Sequence, residues 1–253
     1  MLPSERRTHI LDLVARQGVV QVSDLSDQFR VSEVTIRSDL DLLASQGLLV
    51  RERGGAVVNS AANHLVAYEQ RARLNTEQKR RIGVAAARLV CAGDTIIMDA
   101  GTTVMAMARN MRSLPGLIVL TNGLNIATEV GSLINVHVIV LGGLMNRETM
   151  STAGPHAEWA LKDTVAQKLF LGIRSVDVKA GLTDLSRETV RVKKAMIRSA
   201  KQVILLADSM KWGRVSFNEV GALSAIHTII TDSGLEEDTR VEIERAGIEL
   251  IIV

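Results

Sequence analysis

Along the first fifth of the chain, apolar residues recur at helical spacing in three successive stretches. Ile10, Leu11, Leu13 and Val14 fall on one side of a helix expected over residues 4–17, and the Gln17-Gly18 pair stops it. An extended piece from Val19 to Val22 leads to Ser23, which is expected to cap a second helix running through Leu25 to Phe29. After a connection of a few residues, Ser32 reads as the N-cap of a third helix, with Val31 and Ile36 as a hydrophobic staple. Ile36, Leu40 and Leu43 share one face of that helix, while Val34, Thr35, Arg37 and Ser38 project to the sides and the opposite face. Gly47 is expected to end it. Leu48-Leu49-Val50 and Ala56-Val57-Val58 then read as two short strands, with Arg51-Glu52-Arg53 and Gly54-Gly55 between them. Three helices with a tight second turn and a two-stranded wing spell a winged helix-turn-helix, in which the third helix enters the major groove.

The pattern then changes. From Asn59 to about Asn75 regular hydrophobic spacing is lost, as expected of a linker. From Thr76 to Leu89 it is helical again, with Ile82, Ala85, Ala86 and Leu89 on one face. Beyond lie seven short apolar runs: Thr95 to Met98, Leu117 to Leu120, Val136 to Leu141, Lys168 to Leu171, Gln202 to Ala207, Thr228 to Thr231 and Glu249 to Val253. Runs that short, interleaved with helices, imply a mainly parallel α/β sheet. The expected division is a winged domain over residues 1–58, a linker over 59–75 and an α/β domain over 76–253.

Composition narrows the class. Of 253 residues, 47% are hydrophobic and 23% charged, and no apolar run approaches the eighteen or so residues of a membrane span. The N-terminus has no apolar signal core, and the single cysteine, Cys91, forms neither an internal disulfide nor a cysteine-rich metal site. A soluble protein of the reducing cytoplasm is expected. The five histidines, at 9, 64, 137, 156 and 227, lack two-histidine metal spacing, so neither metal nor cofactor is expected; His137, inside an apolar run, reads as a core imidazole. The net charge of +2 does not argue for nucleic acid, and the first 58 residues carry seven arginines and no lysine against eight acids. A DNA-binding reading therefore rests on where the arginines stand.

Arg37, near the start of the third helix, suits guanine or phosphate, and Thr35 suits a hydroxyl contact or a thymine methyl. Arg51 and Arg53 on the wing suit phosphates or the minor groove. A small interaction module with a solvated polar face would explain the helices but not the placement of Thr35, Arg37, Arg51 and Arg53. In the second domain, Met98 to Gly101 ends a strand and Thr102-Thr103 opens a helix, so N–H groups, two hydroxyls and a positive helix end converge where an anion can sit. An ordinary packing turn has the same residues. Thr121-Asn122-Gly123 and Gly142-Gly143 end two further strands, and ligands of open α/β sheets bind at carboxyl ends of strands. Asp99 can accept from sugar hydroxyls, with Ser151, Thr152 and Gly154 on the segment after the third strand. On the helix expected from about Ser186 to Ala200, Glu188 and Lys194 point to different sides, Arg187, Arg191 and Lys193 compete for an acidic ligand, and a solvated charged helix fits equally.

Glu5-Arg6-Arg7, Val22 to Leu25, Val31 to Leu40 and Gly47 to Ala56, continued by Asp99 to Thr103, Thr121 to Gly123, Leu141 to Gly143 and Asp208-Ser209-Met210-Lys211, closely resemble the DeoR family of bacterial regulators over essentially the whole chain. Two departures stand out: the family often has an arginine where Ser38 stands and a histidine where Arg53 stands. The resemblance implies an α/β protein with an N-terminal winged helix-turn-helix and a C-terminal ribose-5-phosphate isomerase-like sensor. It also implies a repressor of sugar-metabolism genes, released from operator DNA by a phosphorylated sugar. Asp208 and Lys211 match the family's aspartate and lysine, which makes Lys211 the best cationic partner for the phosphate; Trp212 either stacks on the sugar or covers the domain edge. A homodimer or homotetramer is expected, since paired half-sites are read by two-fold assemblies. The competing class is a sugar-phosphate isomerase with a fused DNA-binding domain, using Asp99, Glu188 or Asp208 as base. No two carboxylates are placed together by spacing for that chemistry, so a non-enzyme is expected.

Overall fold

The computed structural model describes residues 3–45, 48–58 and 68–253. The chain divides into two compact units, Met1–Leu74 and Asn75–Val253.

In the first unit the helices are α1 (Pro3–Gln17), α2 (Val22–Phe29), α3 (Glu33–Ser45) and α4 (Tyr68–Arg73), and the strands β1 (Val19–Gln21), β2 (Leu49–Glu52) and β3 (Gly55–Val58). Ile10, Val14, Leu25, Ile36, Leu40 and Leu43 meet in one core, so the stripes read from spacing do face one another. The strands form an antiparallel sheet in the order β1-β3-β2, which ties the wing to the piece before α2. Gly55 is required there, because a Cβ would lie 2.1 Å from the Val20 carbonyl oxygen. Ser23 is not the cap of the second helix. That helix begins at Val22 behind Gln21, with no side-chain cap, and the Ser23 hydroxyl donates to Asp24 instead. Part of the expected linker is helical, as α4; residues 59–67, and Gly47 as the expected helix end, lie outside the described residues.

The second unit opens with α5 (Thr76–Ala87) and runs through β4 (Thr95–Met98), α6 (Thr102–Ala108), β5 (Leu117–Thr121), α7 (Leu124–Gly131), β6 (Val136–Val140), β7 (Leu144–Asn146) and β8 (Ser151–Ala153). It continues with α8 (Pro155–Leu161), β9 (Ala166–Gly172), β10 (Ser175–Asp177), β11 (Gly181–Asp184) and α9 (Arg187–Arg198). The last elements are β12 (Ala200–Leu206), β13 (Asn218–Gly221), β14 (Thr228–Thr231), α10 (Glu237–Arg245) and β15 (Glu249–Ile252). All seven apolar runs enter one parallel sheet of order β15-β14-β12-β9-β4-β5-β6. Alternate strand residues point to opposite faces. Ile96, Met98 and Phe170 pack with α5, α6 and α7 residues, and Ile97, Leu169 and Leu171 with α8, α9 and α10 residues, giving three layers.

His137 is not a core residue. It is exposed on β6, the edge strand, whose Val136 and Val138 pack inward while the face that also carries half-exposed Ile139 is uncovered. A second antiparallel sheet, β10-β11-β13, and the β7-β8 hairpin are additions that the apolar pattern did not announce.

Candidate nucleic-acid interface and effector site

The recognition turn is built by short-range bonds. Arg30 takes a left-handed conformation at φ 53° behind α2, the Val31 N–H donates to Ser26 O at 3.2 Å, and the Ser26 hydroxyl donates to Val31 O at 2.7 Å. Ser32 then caps α3, its Oγ accepting from the Thr35 N–H at 3.2 Å, as its place in the sequence predicts. Val34, Arg37 and Ser38 are exposed and Thr35 half-buried, with Val34 exposed to 74% although apolar. Arg37 pairs with Glu33 one turn earlier, Nη2 to Oε2 at 2.7 Å. Arg51 is tethered: Nε donates to Asp41 at 2.7 Å and Nη1 to the Gly55 carbonyl, whereas Arg53 is exposed at the wing turn. Beneath this face Arg6 Nε meets Asp39 Oδ2 at 2.6 Å, both buried, and Arg7 lies 3.6 Å from the other oxygen, fixing α1 against α3.

In the second unit every strand of the main sheet points the same way, so all carboxyl ends share one edge. Strand order reverses beside β4, whose neighbour β9 comes five strands later in the chain; such a switch point opens a crevice. At it, Lys193 of α9 donates to Asp99 Oδ2 at 2.5 Å and to Gly172 O at 2.5 Å, with Asp184 at 3.7 Å. The Gly172 N–H also donates to Asp99 at 3.1 Å. Burial pushes the Asp99 carboxyl above the usual carboxylate range, against the pull of the Lys193 ammonium. Sequence reasoning names Lys193 only as one of several cations on a charged helix and misses its buried pairing with Asp99. Its signal was there: Val190, Lys193 and Ile197 share a helical stripe, and a lysine on an otherwise apolar stripe needs a buried partner.

The residues expected to touch an effector separate into a buried frame and an exposed rim. Asp99 is buried, and Lys193 and the Gly172 N–H both donate to its Oδ2. Thr121 is buried, its hydroxyl accepting from the Gly123 N–H. Asn122 stitches its own turn to the turn after β4 and to strand β8, accepting from the Ala100 N–H at 3.1 Å and donating to Thr152 O at 3.0 Å. Thr103 and Ser151 are buried as well. The rim consists of Gly101 and Thr102, half-buried, with Gly142 and Gly143 exposed and Lys211 half-buried. Gly101, at φ 152°, has open space where a Cβ would stand. Glu188 is exposed on α9 and bonded to the Ser186 hydroxyl at 2.8 Å, its carboxyl lowered by its own backbone N–H and by Ser186, whereas Lys193 occupies the buried side.

Asp208, after β12, is buried at 1% exposure. Its Oδ1 accepts from Asn75 at 3.1 Å, while its Oδ2, also buried, has no hydrogen-bond partner among the described residues. The Trp212 Nε1 is in the same condition, and the indole packs against the core, as expected of an indole at the domain edge. Burial lowers the Arg214 guanidinium, with the Asp208 charge acting against it. Of the carboxylates considered as bases, Asp99 shares a buried lysine with Asp184, which spacing did not single out, and not with Glu188 or Asp208.

The profile described as "DeoR C terminal sensor domain" matches residues 74–233, and "DeoR-like helix-turn-helix domain" matches residues 6–62. The chain belongs to the DeoR family. This DeoR protein thus joins a DNA-binding helix-turn-helix to a sensor domain, and its relatives are transcriptional regulators. It is 37% identical over 251 residues to the HTH-type transcriptional regulator GlpR of Haloferax volcanii, covering 99% of this chain and 98% of that protein. It is 32% identical over 237 residues to the glycerol-3-phosphate regulon repressor of Escherichia coli K12, covering 92% of each. Among solved structures, ribose 5-phosphate isomerase A of Methanocaldococcus jannaschii aligns with a TM-score of 0.41 at 14% identity over 55% of each chain. Among the described residues of the DeoR protein, no helix is long and apolar enough to cross a membrane.

Proposed function

We propose that this DeoR protein is a cytoplasmic, non-enzymatic repressor of sugar-metabolism genes, a homodimer or homotetramer that leaves its operator when a phosphorylated sugar binds the sensor domain. The third helix, through Val34, Thr35, Arg37 and Ser38, reads the major groove, and Arg51 and Arg53 hold the backbone. The observation that carries the effector reading is the buried Asp208 Oδ2 with no hydrogen-bond partner among the described residues, on the edge where the Gly101-Thr102 turn lies open. A buried carboxylate oxygen left unsatisfied is costly, and a ligand hydroxyl relieves it. Strands β12 and β4 are separated by β9 alone, so their ends stand about 10 Å apart at the usual strand spacing. A sugar phosphate fits that span with its phosphate at Gly101, Thr102 and Lys211 and its hydroxyls toward Asp208. The name of the Escherichia coli relative, built on glycerol-3-phosphate, supports a phosphorylated polyol or sugar.

The test is a thermal-shift screen of the full-length protein against phosphorylated sugars, amino-sugar phosphates included, followed by operator release with each hit. One compound is expected both to raise the melting temperature and to release DNA. Stabilisation by unphosphorylated sugars alone, or conversion of a hit into an isomer, would sink the reading.

A further inference from the structure

The recognition unit carries an unusual charge arrangement. Residues 1–58 hold eight acids against seven arginines and no lysine, so the unit as a whole offers phosphates no net attraction. On its DNA-facing side the charges are ordered: Glu33, Arg37 and Asp41 follow at intervals of four along α3, which places them on one stripe. Arg37 is paired to Glu33 at 2.7 Å, and Asp41 reaches across to Arg51 of the wing at 2.7 Å. The line alternates in sign, and both arginines assigned to DNA are held by carboxylates exposed to water.

We infer that Glu33 and Asp41 are specificity-determining residues, which hold Arg37 and Arg51 back from any duplex lacking the matching base and phosphate positions. Non-specific binding comes from guanidinium and ammonium groups meeting phosphates. An arginine already neutralised by a carboxylate gains little from a random phosphate, and leaving the pair turns that carboxylate toward the backbone, a like-charge juxtaposition that penalises wrong partners. The correct site reverses the balance. A bidentate arginine on guanine discriminates by roughly 5- to 150-fold, whereas an exposed ion pair is worth at most about 5-fold, so Arg37 changes partners only where a guanine is offered. The two acids weaken binding everywhere and weaken it least at the operator.

The experiment begins with selection of a tight-binding duplex from a random-sequence library by the full-length wild type. Affinities of wild type, Glu33→Gln, Asp41→Asn and the double variant are then measured for that duplex and for a random-sequence duplex of equal length, over a series of salt concentrations. Glu52→Gln serves as control, since Glu52 is an exposed wing acid outside these ion pairs. Each of the two single variants is expected to tighten binding to the random duplex about 3- to 10-fold and to steepen its salt slope by about 0.9, one added phosphate contact. Binding to the selected duplex should move less than 2-fold, roughly the scale of an exposed pair. Equal tightening on both duplexes by all three single variants would show a general effect of charge and overturn the inference. So would unchanged affinities. A changed base preference when selection is repeated with Glu33→Gln would make Glu33 a direct reader of a base, as carboxylates can be of cytosine, and overturn its assignment. Melting temperatures of the variants guard against misfolding.

Discussion

At the scale of single residues, the two units use charge in opposite ways. Arg37 is exposed and exchangeable, so Arg37→Ala is expected to weaken operator binding by about 1–3 kcal/mol with the melting temperature unchanged; operator titration and thermal unfolding measured together check both halves. Lys193 is buried and not exchangeable. Lys193→Met leaves the Asp99 carboxylate buried beside Asp184 without its cation, which is expected to cost about 3–5 kcal/mol of stability. Burial raises the Asp99 carboxyl in the folded protein, so the fold holds that proton more tightly than the unfolded chain does, and stability falls as pH rises from the ordinary carboxylate range through the raised value. In the variant, where the cation is gone, denaturant unfolding should therefore show a greater loss at pH 8 than at pH 5; an equal loss at both would place the cost in packing instead. The difference in legibility between the two residues is physical. Arg37 stands on a polar face that helical spacing reveals, while the partner of Lys193 lies 94 residues away, beyond any local period.

Elements follow the same division. The five inner strands of the parallel sheet are largely buried on both faces, which makes them near-continuous apolar runs and plain to read, and the more exposed edge strands β6 and β15 keep the apolar composition. Strands β10, β11 and β13, with members such as Ser175 and Asn218, are too short and polar to register, because their pairing is decided by chain returning from elsewhere. Ser32 caps α3 as spacing suggests, but Ser23 loses its helix start to Val22, since β1 pairs with β3 and sets where α2 begins. Helix α5 holds a glycine that propensity alone would replace with alanine. A Cβ at Gly83 would sit 2.5 Å from the Ala106 carbonyl carbon of α6, so the two helices touch backbone to backbone. Gly83→Ala is expected to destabilise the protein by about 1–3 kcal/mol despite the gain of about 1 kcal/mol in helix propensity, as chemical denaturation would show. A neutral or stabilising result would mean that α5 and α6 can part without cost.

For the whole molecule, the expected behaviour is separation of binding from release. Thr102→Asp places a carboxylate on the exposed rim beside Gly101; it should repel a phosphate and leave a protein that holds operator at wild-type affinity but is no longer released. Operator affinity without effector must be part of the measurement, because a carboxylate that mimicked bound phosphate would release DNA permanently, which also implicates this turn. Wild-type affinity together with release at the wild-type effector concentration would move the phosphate elsewhere. That the chain has a winged helix-turn-helix, a seven-stranded sheet and glycine-rich strand ends was determined by the sequence itself, because hydrophobic period, caps and turn residues act within a few positions of one another. Which residues frame the site and which stay open to a ligand was decided only in three dimensions. Thr121, Asn122 and Asp99 look like ligand contacts in sequence, yet the turns after β4 and β5, strands β8 and β9 and helix α9 bring N–H groups, a carbonyl and Lys193 onto them. Buried polar groups must be satisfied by whatever the fold places beside them; for Asp208 Oδ2 it places no hydrogen-bond donor among the described residues.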